Sequence, residues 1–403
     1  MTAIETVANR MDFLPLHKRM QWYIDNNILS CCNSLVMRGL DVLDYKTYGY
    51  MDLATRRPLL DDAIFRMYSN TKIVTSVAAM ILFEEGRFGL DDPLAEYLPK
   101  FANARVFKPD AATVDDTVLA RSPITMRQIL SHSAGLSYGF IEPQSIVDRT
   151  YNEQGINLSS DSGDTLEALC DRLATLPLAF EPGTAWRYSL ATDVASRAVE
   201  VLSGMRFDRF LKQRIFDPLG MHDTGFHVPA EKRERFTTMY APQNPLDPMQ
   251  AGLTKADDPD DCRYTRAPTL LSGGGGLVST VSDYLSFIRM IVNDGEWQGA
   301  RILKASTLAT MRTNQLAPGI TLNIPMWPMP KTVFGLGFGI RSGAEPEETN
   351  AVIDEYFWGG MAGTHSWMSP RANLTGMCMT QRMPGFWHPF SHDFRRLAYQ
   401  AAG

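Results

Sequence analysis

Ser69 and Lys72 stand three positions apart, a spacing at which a serine and a lysine can do chemistry together. Residues i and i+3 share one face of a helix, so the lysine amine can reach the serine hydroxyl and activate it as a nucleophile. Free N–H groups at a helix N-terminus would also stabilise an oxyanion. The pattern Ser-x-x-Lys also arises by chance, from a helix cap followed by a surface lysine, so its context must decide.

The context of this pair is a predicted buried helix. Residues 71–85 are apolar on all sides, and Gly86 stands where the residue that follows a helix C-terminus belongs. We therefore predict that Ser69 lies at the mouth of a buried helix and is the nucleophile of a serine hydrolase.

Tyr188 is the third catalytic candidate. It follows the turn at 181–183 and precedes a helix predicted from about Asp193, so we expect it to lie in a loop. A phenol carries protons usefully near neutral pH only beside a cation such as Lys72. The residues leave open which of Lys72 and Tyr188 is the base. A packing tyrosine with one hydrogen bond is the alternative interpretation of Tyr188.

A glycine-rich segment, residues 358–361, approaches a strand predicted at 365–369. Glycines allow a substrate carbonyl to come close to backbone N–H groups, although a simple turn would have the same composition. The candidate substrate-binding residues are Trp358, Gly359, Gly360, Tyr138 and Trp186. Aromatic and methionine side chains that could line an apolar acyl pocket, or equally pack in the core, are Trp186, Trp327, Trp358, Trp367, Trp387, Met326, Met329 and Met361.

Two further motifs compete with this site. Residues 135–139 fit G-x-S-x-G around Ser137, but that motif needs a strand before it and a helix after it, whereas here a helix precedes and a loop follows. We interpret His132 as a buried residue that orders this loop. His388 and His392 have a metal-chelating spacing, but Pro389 and a predicted cap at Ser391 interrupt it, so we interpret both as surface residues at a helix start.

Composition narrows the class of protein. The 403 residues are 44% hydrophobic and 21% charged with a formal charge of −6, as in globular proteins that do not bind nucleic acid. Five cysteines without a C-x-x-C pair indicate buried, reduced thiols. The first 27 residues carry charges throughout and no long apolar run occurs, so we expect a cytoplasmic protein without a membrane partner. We expect no cofactor or metal, and the oligomeric state stays open.

Alternating patterns predict an antiparallel sheet built from both chain ends. Its strands are predicted at 28–38, 40–49, 333–341, 365–369 and 374–382, with a helix at 391–401. Other helices are predicted at 125–132, 193–203 and 283–293, and the longest loop, at 241–276, is expected to overhang a site. We predict a discontinuous sheet domain of residues 1–80 and 285–403, and a mostly helical region, 81–284, that carries the Tyr188 loop.

The order of these motifs resembles a known family along nearly the whole chain. Supporting segments are Phe65-Arg66, residues 90–93, 97–99, 124–136, 272–280 and 334–339. The sequence is similar to the serine hydrolase family of class C β-lactamases, penicillin-binding proteins and, most closely, family VIII carboxylesterases. The resemblance implies an α+β, β-lactamase/transpeptidase-like fold, with an antiparallel sheet flanked by helices, a helical subdomain and a site between them.

The resemblance also implies roles for the site residues. Ser69 would be acylated, Lys72 and Tyr188 would act as general base and acid, and the backbone N–H groups of Ser69 and Met361 would form the oxyanion hole. Where β-lactamases and carboxypeptidases have Lys-Thr-Gly or Lys-Ser-Gly, this chain has Trp358-Gly359-Gly360, which lacks the cation for a substrate carboxylate. This departure favours a carboxylesterase for small to medium hydrophobic esters. An acyltransferase, a weak β-lactamase or D-amino-acid peptidase, and a catalytically silent scaffold are the alternatives.

Overall fold

Both ends of the chain contribute strands to one eight-stranded antiparallel sheet. The computed structural model describes residues 4–156, 163–325 and 327–403. Within them the strands are β1 (Cys31–Arg38), β2 (Asp41–Asp52), β3 (Arg57–Pro58), β4 (Ile64–Arg66), β5 (Arg105–Phe107), β6 (Thr117–Leu119), β7 (Met239–Pro242), β8 (Leu253–Asp257), β9 (Val278–Thr280), β10 (Glu296–Trp297), β11 (Ala300–Arg301), β12 (Thr332–Phe334), β13 (Gly339–Arg341), β14 (Tyr356–Gly360), β15 (Thr364–Ser369) and β16 (Leu374–Met379). The large sheet has the order β12-β13-β14-β15-β16-β1-β2-β3, which confirms the predicted union of the two ends.

Helices cover this sheet, and between residues 126 and 219 they alternate with loops. They are α1 (Leu14–Asp25), α2 (Thr71–Glu84), α3 (Met126–Leu130), α4 (Ile146–Glu153), α5 (Leu166–Leu173), α6 (Ala191–Ser203), α7 (Phe207–Leu211), α8 (Asp217–Leu219), α9 (Val281–Val292), α10 (Ala305–Met311) and α11 (Pro389–Ala402). One large apolar cluster joins the sheet to α2 and α6, and a second packs α1 and α11 on the sheet. The α+β class is as predicted, whereas the domain boundaries at residues 80 and 284 stay a prediction.

Helix α2 is the element that the sequence pattern identified most clearly. Twelve of its residues, Thr71–Leu82, are buried, because its apolar side chains point in every direction. Gly86 follows its end with φ +68°, a left-handed conformation that suits glycine. The helices predicted at 125–132, 193–203 and 283–293 are present as α3, α6 and α9, with ends that differ by at most two residues.

Four local predictions are wrong. The run 333–341 forms two strands, β12 and β13, because Gly337 turns the chain with φ +91°. Part of the predicted loop at 241–276 is a hairpin of β7 and β8. Helix α11 is capped by His388, whose ring accepts from the Phe390 N–H, and not by Ser391. His388 is buried and not a surface residue, while His392 is exposed.

The turn at Gly337 rests directly on helix α2. A Cβ at this position would overlap Ser76, one helical turn beyond Lys72. Gly299, in the exposed turn between β10 and β11, has a similar φ of +82° but open space where a Cβ would lie. Substitution of Gly299 therefore tests backbone strain alone, whereas substitution of Gly337 tests backbone strain together with packing against α2.

We predict that Gly337→Ala lowers the free energy of unfolding by about 2 to 4 kcal/mol, because a left-handed alanine and an overpacked core both destabilise. Gly299→Ala should cost about 1 kcal/mol, since only the backbone term applies. Urea unfolding of both variants measures the difference. Equal losses would show that Gly337 does not press on α2.

Candidate active site

Ser69 lies in a single 3₁₀ turn, Tyr68–Asn70, that leads directly into α2. Tyr68 has φ +45°, a conformation that a non-glycine residue adopts only when its surroundings enforce it. One such restraint is Asn70, whose side-chain amide donates to the Thr364 carbonyl of β15 at 3.0 Å. Ser69 itself is half-buried and lines a cavity. The predicted position of Ser69 at the mouth of a buried helix is confirmed.

Lys72 is buried, with 1% of its surface exposed. Its Nζ lies 3.3 Å from Ser69 Oγ, 2.6 Å from the Tyr138 hydroxyl and 2.6 Å from the Gly274 carbonyl oxygen. Burial disfavours the ammonium form and lowers the pKa of Lys72 to about 7, although the carboxylate of Asp193 opposes this shift. A large fraction of the molecules therefore holds a neutral amine beside the serine hydroxyl at neutral pH.

Tyr188 lies in the predicted loop, and its ring centre is 4.7 Å from Lys72 Nζ. The Trp358 indole donates to its hydroxyl at 3.2 Å, and Ser69 is a further hydrogen-bond partner. Burial raises the pKa of Tyr188, and these two hydrogen bonds offset only part of that rise. The phenol therefore keeps its proton at neutral pH. The structure thus brings Ser69, Lys72 and Tyr188 together.

The loop that carries Tyr188 is fastened on both sides of that residue. The Arg187 guanidinium donates to Ser137 Oγ and to Asp148, each at 2.8 Å. On the other side, Ser189 Oγ lies 3.0 Å from Nδ1 of His132. Burial, with a smaller effect of Lys72, holds the pKa of His132 well below its usual range, so the ring is neutral. His132 is thus buried, as predicted, but its side chain contacts the loop that carries Tyr188.

Ser137 is part of this fastening, and its hydroxyl is not free. It is buried and donates to Asp148 at 2.5 Å while it accepts from Arg187. Helix α3 precedes it and no strand leads into it. The G-x-S-x-G match is therefore structural.

The glycine-rich segment ends strand β14 against the turn that holds Ser69. A Cβ on Gly360 would overlap the Met67 carbonyl, so only glycine permits this approach. Met361 follows directly, and both Met361 and Ser69 line the cavity. Their backbone N–H groups are the pair that the resemblance assigns to an oxyanion hole, and that role stays a prediction.

The cavity in front of Ser69 has a volume of about 720 Å³ and a mainly apolar wall. Of the five predicted binding residues only Tyr138 is on this wall. Trp186 and Trp358 are buried beside Tyr188, and Gly359 and Gly360 are buried in β14. Apolar side chains on the wall are Tyr68, Phe140, Phe226, Met239, Leu270, Met361 and Met383.

Of the two alternatives that the sequence left open for the tryptophans, the structure favours core packing over an acyl pocket. Trp327 stacks edge-on against Phe386 in the core, and Trp367 packs on Tyr399 in the cluster below the sheet. Trp387 and Met329 also pack in the core, and Met361 is the member of this set on the cavity wall. Met326 lies outside the described residues.

Three residues near the site were not predicted. Gly274 binds Lys72 through its carbonyl, and Asp193 accepts from the Gly274 N–H at 3.1 Å. An acidic residue in the first turn of α6 was the one available signal for Asp193. Arg263 brings a guanidinium to the cavity wall, stacked on Tyr264 at 4.6 Å. The sequence pattern of the loop at 241–276 gave no indication of it.

Other features bear on the remaining predictions. All five cysteines are buried and unpaired, as predicted. Within residues 4–156, 163–325 and 327–403, no group of three His, Cys, Asp or Glu side chains could hold a metal ion. No helix in the same ranges is long and apolar enough to cross a membrane.

Comparison with known proteins agrees with this arrangement. The Beta-lactamase family profile matches residues 34–400. Protein Rv1367c of Mycobacterium tuberculosis (strain H37Rv) is 30% identical over 378 residues, which are 89% of this chain and 88% of that protein. Esterase EstB of Burkholderia gladioli is 30% identical over 355 residues, which are 84% of this chain and 82% of that protein.

A solved structure extends the comparison to three dimensions. EstCE1, described as a hydrolase with promiscuous acyltransferase activity, matches with a TM-score of 0.79 and 26% identity, over 96% of this chain and 99% of that chain. The predicted β-lactamase/transpeptidase-like fold is therefore confirmed. The chain belongs to the Beta-lactamase family of proteins.

Proposed function

We propose that this chain is a serine carboxylesterase that cleaves small to medium hydrophobic esters through a Ser69 acyl-enzyme. The observation that carries the proposal is a buried amine, Lys72, 3.3 Å from a serine hydroxyl on the wall of a mainly apolar cavity. Esterase EstB, 30% identical over most of the chain, supports the ester as substrate.

The contacts of Lys72 support its role as the general base. The Gly274 carbonyl can only accept, so it fixes one N–H of the amine. The lone pair of the neutral amine is then available to the hydroxyl of Ser69 or Tyr138. With a pKa of about 7 the amine is neutral often enough to take the Ser69 proton as the oxygen attacks the ester carbonyl.

Tyr188 is then the general acid for the leaving alcohol. Its raised pKa keeps the phenol protonated, and the Trp358 indole occupies a lone pair of its oxygen, so the phenolic proton can point toward Ser69. The tetrahedral oxyanion would be held by the N–H groups of Ser69 and Met361. The Tyr188 phenolate then takes a proton from water, which attacks the acyl-enzyme and releases the acyl chain as an acid, and Lys72 returns its proton to Ser69.

We predict that Ser69→Ala lowers kcat/KM for p-nitrophenyl esters by at least about a thousand-fold, because the acyl-enzyme cannot form. A fluorophosphonate probe should label wild-type protein at Ser69, as located by peptide mass spectrometry. Ser137→Ala is the matched control, since it should lower the melting temperature yet keep the label on residue 69. Normal ester turnover by Ser69→Ala would refute the proposal.

We predict that kcat/KM rises with pH through a midpoint near 7, because Lys72 must lose its proton before it can act as base. Below that midpoint the ammonium form prevails and the rate falls about tenfold per pH unit. The rate of fluorophosphonate labelling should show the same midpoint, since it reports the attack of Ser69 alone. A profile that is flat from pH 5 to 9 would contradict Lys72 as the base.

Acyl transfer is the second candidate function, favoured by the size of the cavity. A volume of about 720 Å³ has room for an acyl chain and an acceptor alcohol together, and the apolar wall favours the alcohol over water. EstCE1, similar over nearly the whole chain, is described as having promiscuous acyltransferase activity.

We predict that wild-type protein, given a p-nitrophenyl ester and excess benzyl alcohol, forms the benzyl ester alongside the free acid. The alcohol should intercept the acyl-enzyme because the apolar wall binds its ring. Chromatography of the products with and without enzyme measures the ratio. If the acid is the sole product at every alcohol concentration, water alone reaches the acyl group.

A further inference from the structure

Asp193 is a fully buried carboxylate in the first turn of α6, close to the site but off the cavity wall. Its Oδ1 accepts from Ser272 Oγ at 2.6 Å and from the Gly274 N–H at 3.1 Å. Its Oδ2 has no hydrogen-bond partner within the described part of the chain. Burying a carboxylate with one oxygen unsatisfied costs free energy, so this arrangement calls for an explanation.

The unsatisfied oxygen faces the site. A Cβ on Gly274 would overlap Asp193 Oδ2 and lie 3.1 Å from the Tyr138 hydroxyl. Asp193 Oδ2 and the Tyr138 hydroxyl, which is a partner of Lys72, therefore both lie next to the α-carbon of Gly274. The carboxylate fixes the N–H of Gly274, and the carbonyl of the same residue accepts from Lys72 Nζ at 2.6 Å.

We propose that Asp193 is a positioning residue for the catalytic lysine: it anchors the Ser272–Gly276 loop whose Gly274 carbonyl orients the amine, and its negative charge opposes the loss of the lysine proton. This inference deepens the proposed function and rests on it for its catalytic consequence. Asp193 does not touch substrate.

The other groups that face Lys72 are uncharged. Ser69, Tyr138 and Tyr188 surround it, and burial raises the pKa of both phenols. His132 is neutral, since burial lowers its pKa well below the usual range. Asp193 is thus the group whose charge can balance the ammonium.

The other groups that face Asp193 do not replace Lys72. On α5, Cys170 stays a thiol because burial raises its pKa well above the usual value. On the next turn of α6, Arg197 is already paired with Glu167 at 2.7 Å and Glu200 at 3.1 Å. Burial raises the pKa of Asp193, while Lys72 and the two hydrogen bonds oppose that rise.

Burial and the charge of Asp193 have opposite effects on the pKa of Lys72. Burial alone would drive the lysine further toward its neutral form, and a nearby carboxylate restrains that shift. The lysine can then both accept the Ser69 proton and pass it on, as a residue that serves acylation and deacylation must.

The Asp193→Asn substitution tests the negative charge of Asp193 separately from its hydrogen bonds to the Ser272–Gly276 loop. The amide oxygen can still accept from Ser272 and Gly274, so the loop contacts are retained while the charge is lost. The pKa of Lys72 should fall by about one pH unit or more. The shift is measured by NMR on protein labelled at the lysine ¹³Cε, with Lys72→Met for assignment, and as the acid midpoint of kcat/KM.

Asp283→Asn is the matched control. Asp283 is likewise a buried acid in the first turn of a helix, α9, where it accepts from the Asp223 N–H at 2.7 Å. It is not among the groups that act on Lys72. Its substitution should lower stability without moving either midpoint, and a shift there would overturn the assignment to Asp193.

The outcomes separate this inference from the proposed function. A lower Lys72 pKa in Asp193→Asn supports the inference even if no ester is turned over, because the NMR signal does not depend on catalysis. An unchanged pKa with slower turnover overturns it and makes Asp193 purely structural. If Asp193→Asn does not fold, the ¹³Cγ shift of Asp193 in wild-type protein decides: a carboxyl group that stays protonated from pH 5 to 8 overturns the inference.

Discussion

The desolvation of one amine, Lys72, is the interaction on which the rest of the site depends. Lys72, with 1% of its surface exposed, loses the hydration that stabilises its charge, and hydrogen bonds to Ser69, Tyr138 and Gly274 do not make up for the whole of that loss. That deficit moves the pKa of the amine toward neutrality, where it can exchange protons with a serine. A lysine exposed on the same helix would stay charged and could not accept a proton from the serine.

Water is excluded from Lys72 because the elements around helix α2 enclose it on every side. Strands from both chain ends form the sheet on one side, while α6 and the loop that ends at Gly276 lie on the other. Two glycines permit the closest approaches: Gly337 against Ser76 and Gly360 against the Met67 carbonyl. The enclosure is tight around the lysine and opens at Ser69, which is half-buried and reaches the cavity.

The sequence was sufficient to predict features that depend on neighbouring residues. The buried helix, the paired β1 and β2, and the positions of Ser69, Lys72 and Tyr188 follow from periodicity, glycine positions and motif context. Prediction from the sequence failed where the deciding contact comes from a distant segment. Trp358 pointed to a substrate pocket because tryptophans often line one, but its indole holds Tyr188, 170 positions away. His388 looks exposed beside a helix cap, yet the carbonyl of Pro248 at 2.7 Å helps to bury it. The contact between Asp193 and Gly274 was not predictable, because the two residues are 81 positions apart in the sequence.

The two serine motifs show why hydroxyl environment, and not letter pattern, decides reactivity. Ser137 donates a hydrogen bond to Asp148 and accepts one from Arg187, and these two partners also form an ion pair with each other, so both functions of the Ser137 oxygen are engaged. Ser69 faces an amine and a phenol that can exchange protons with it and a cavity that can hold a carbonyl. Ser137 nevertheless contributes to the site of Ser69. It accepts a hydrogen bond from Arg187, and Arg187 directly precedes Tyr188 in the loop. A motif that imitates a nucleophile elbow thus helps to hold the loop that positions Tyr188.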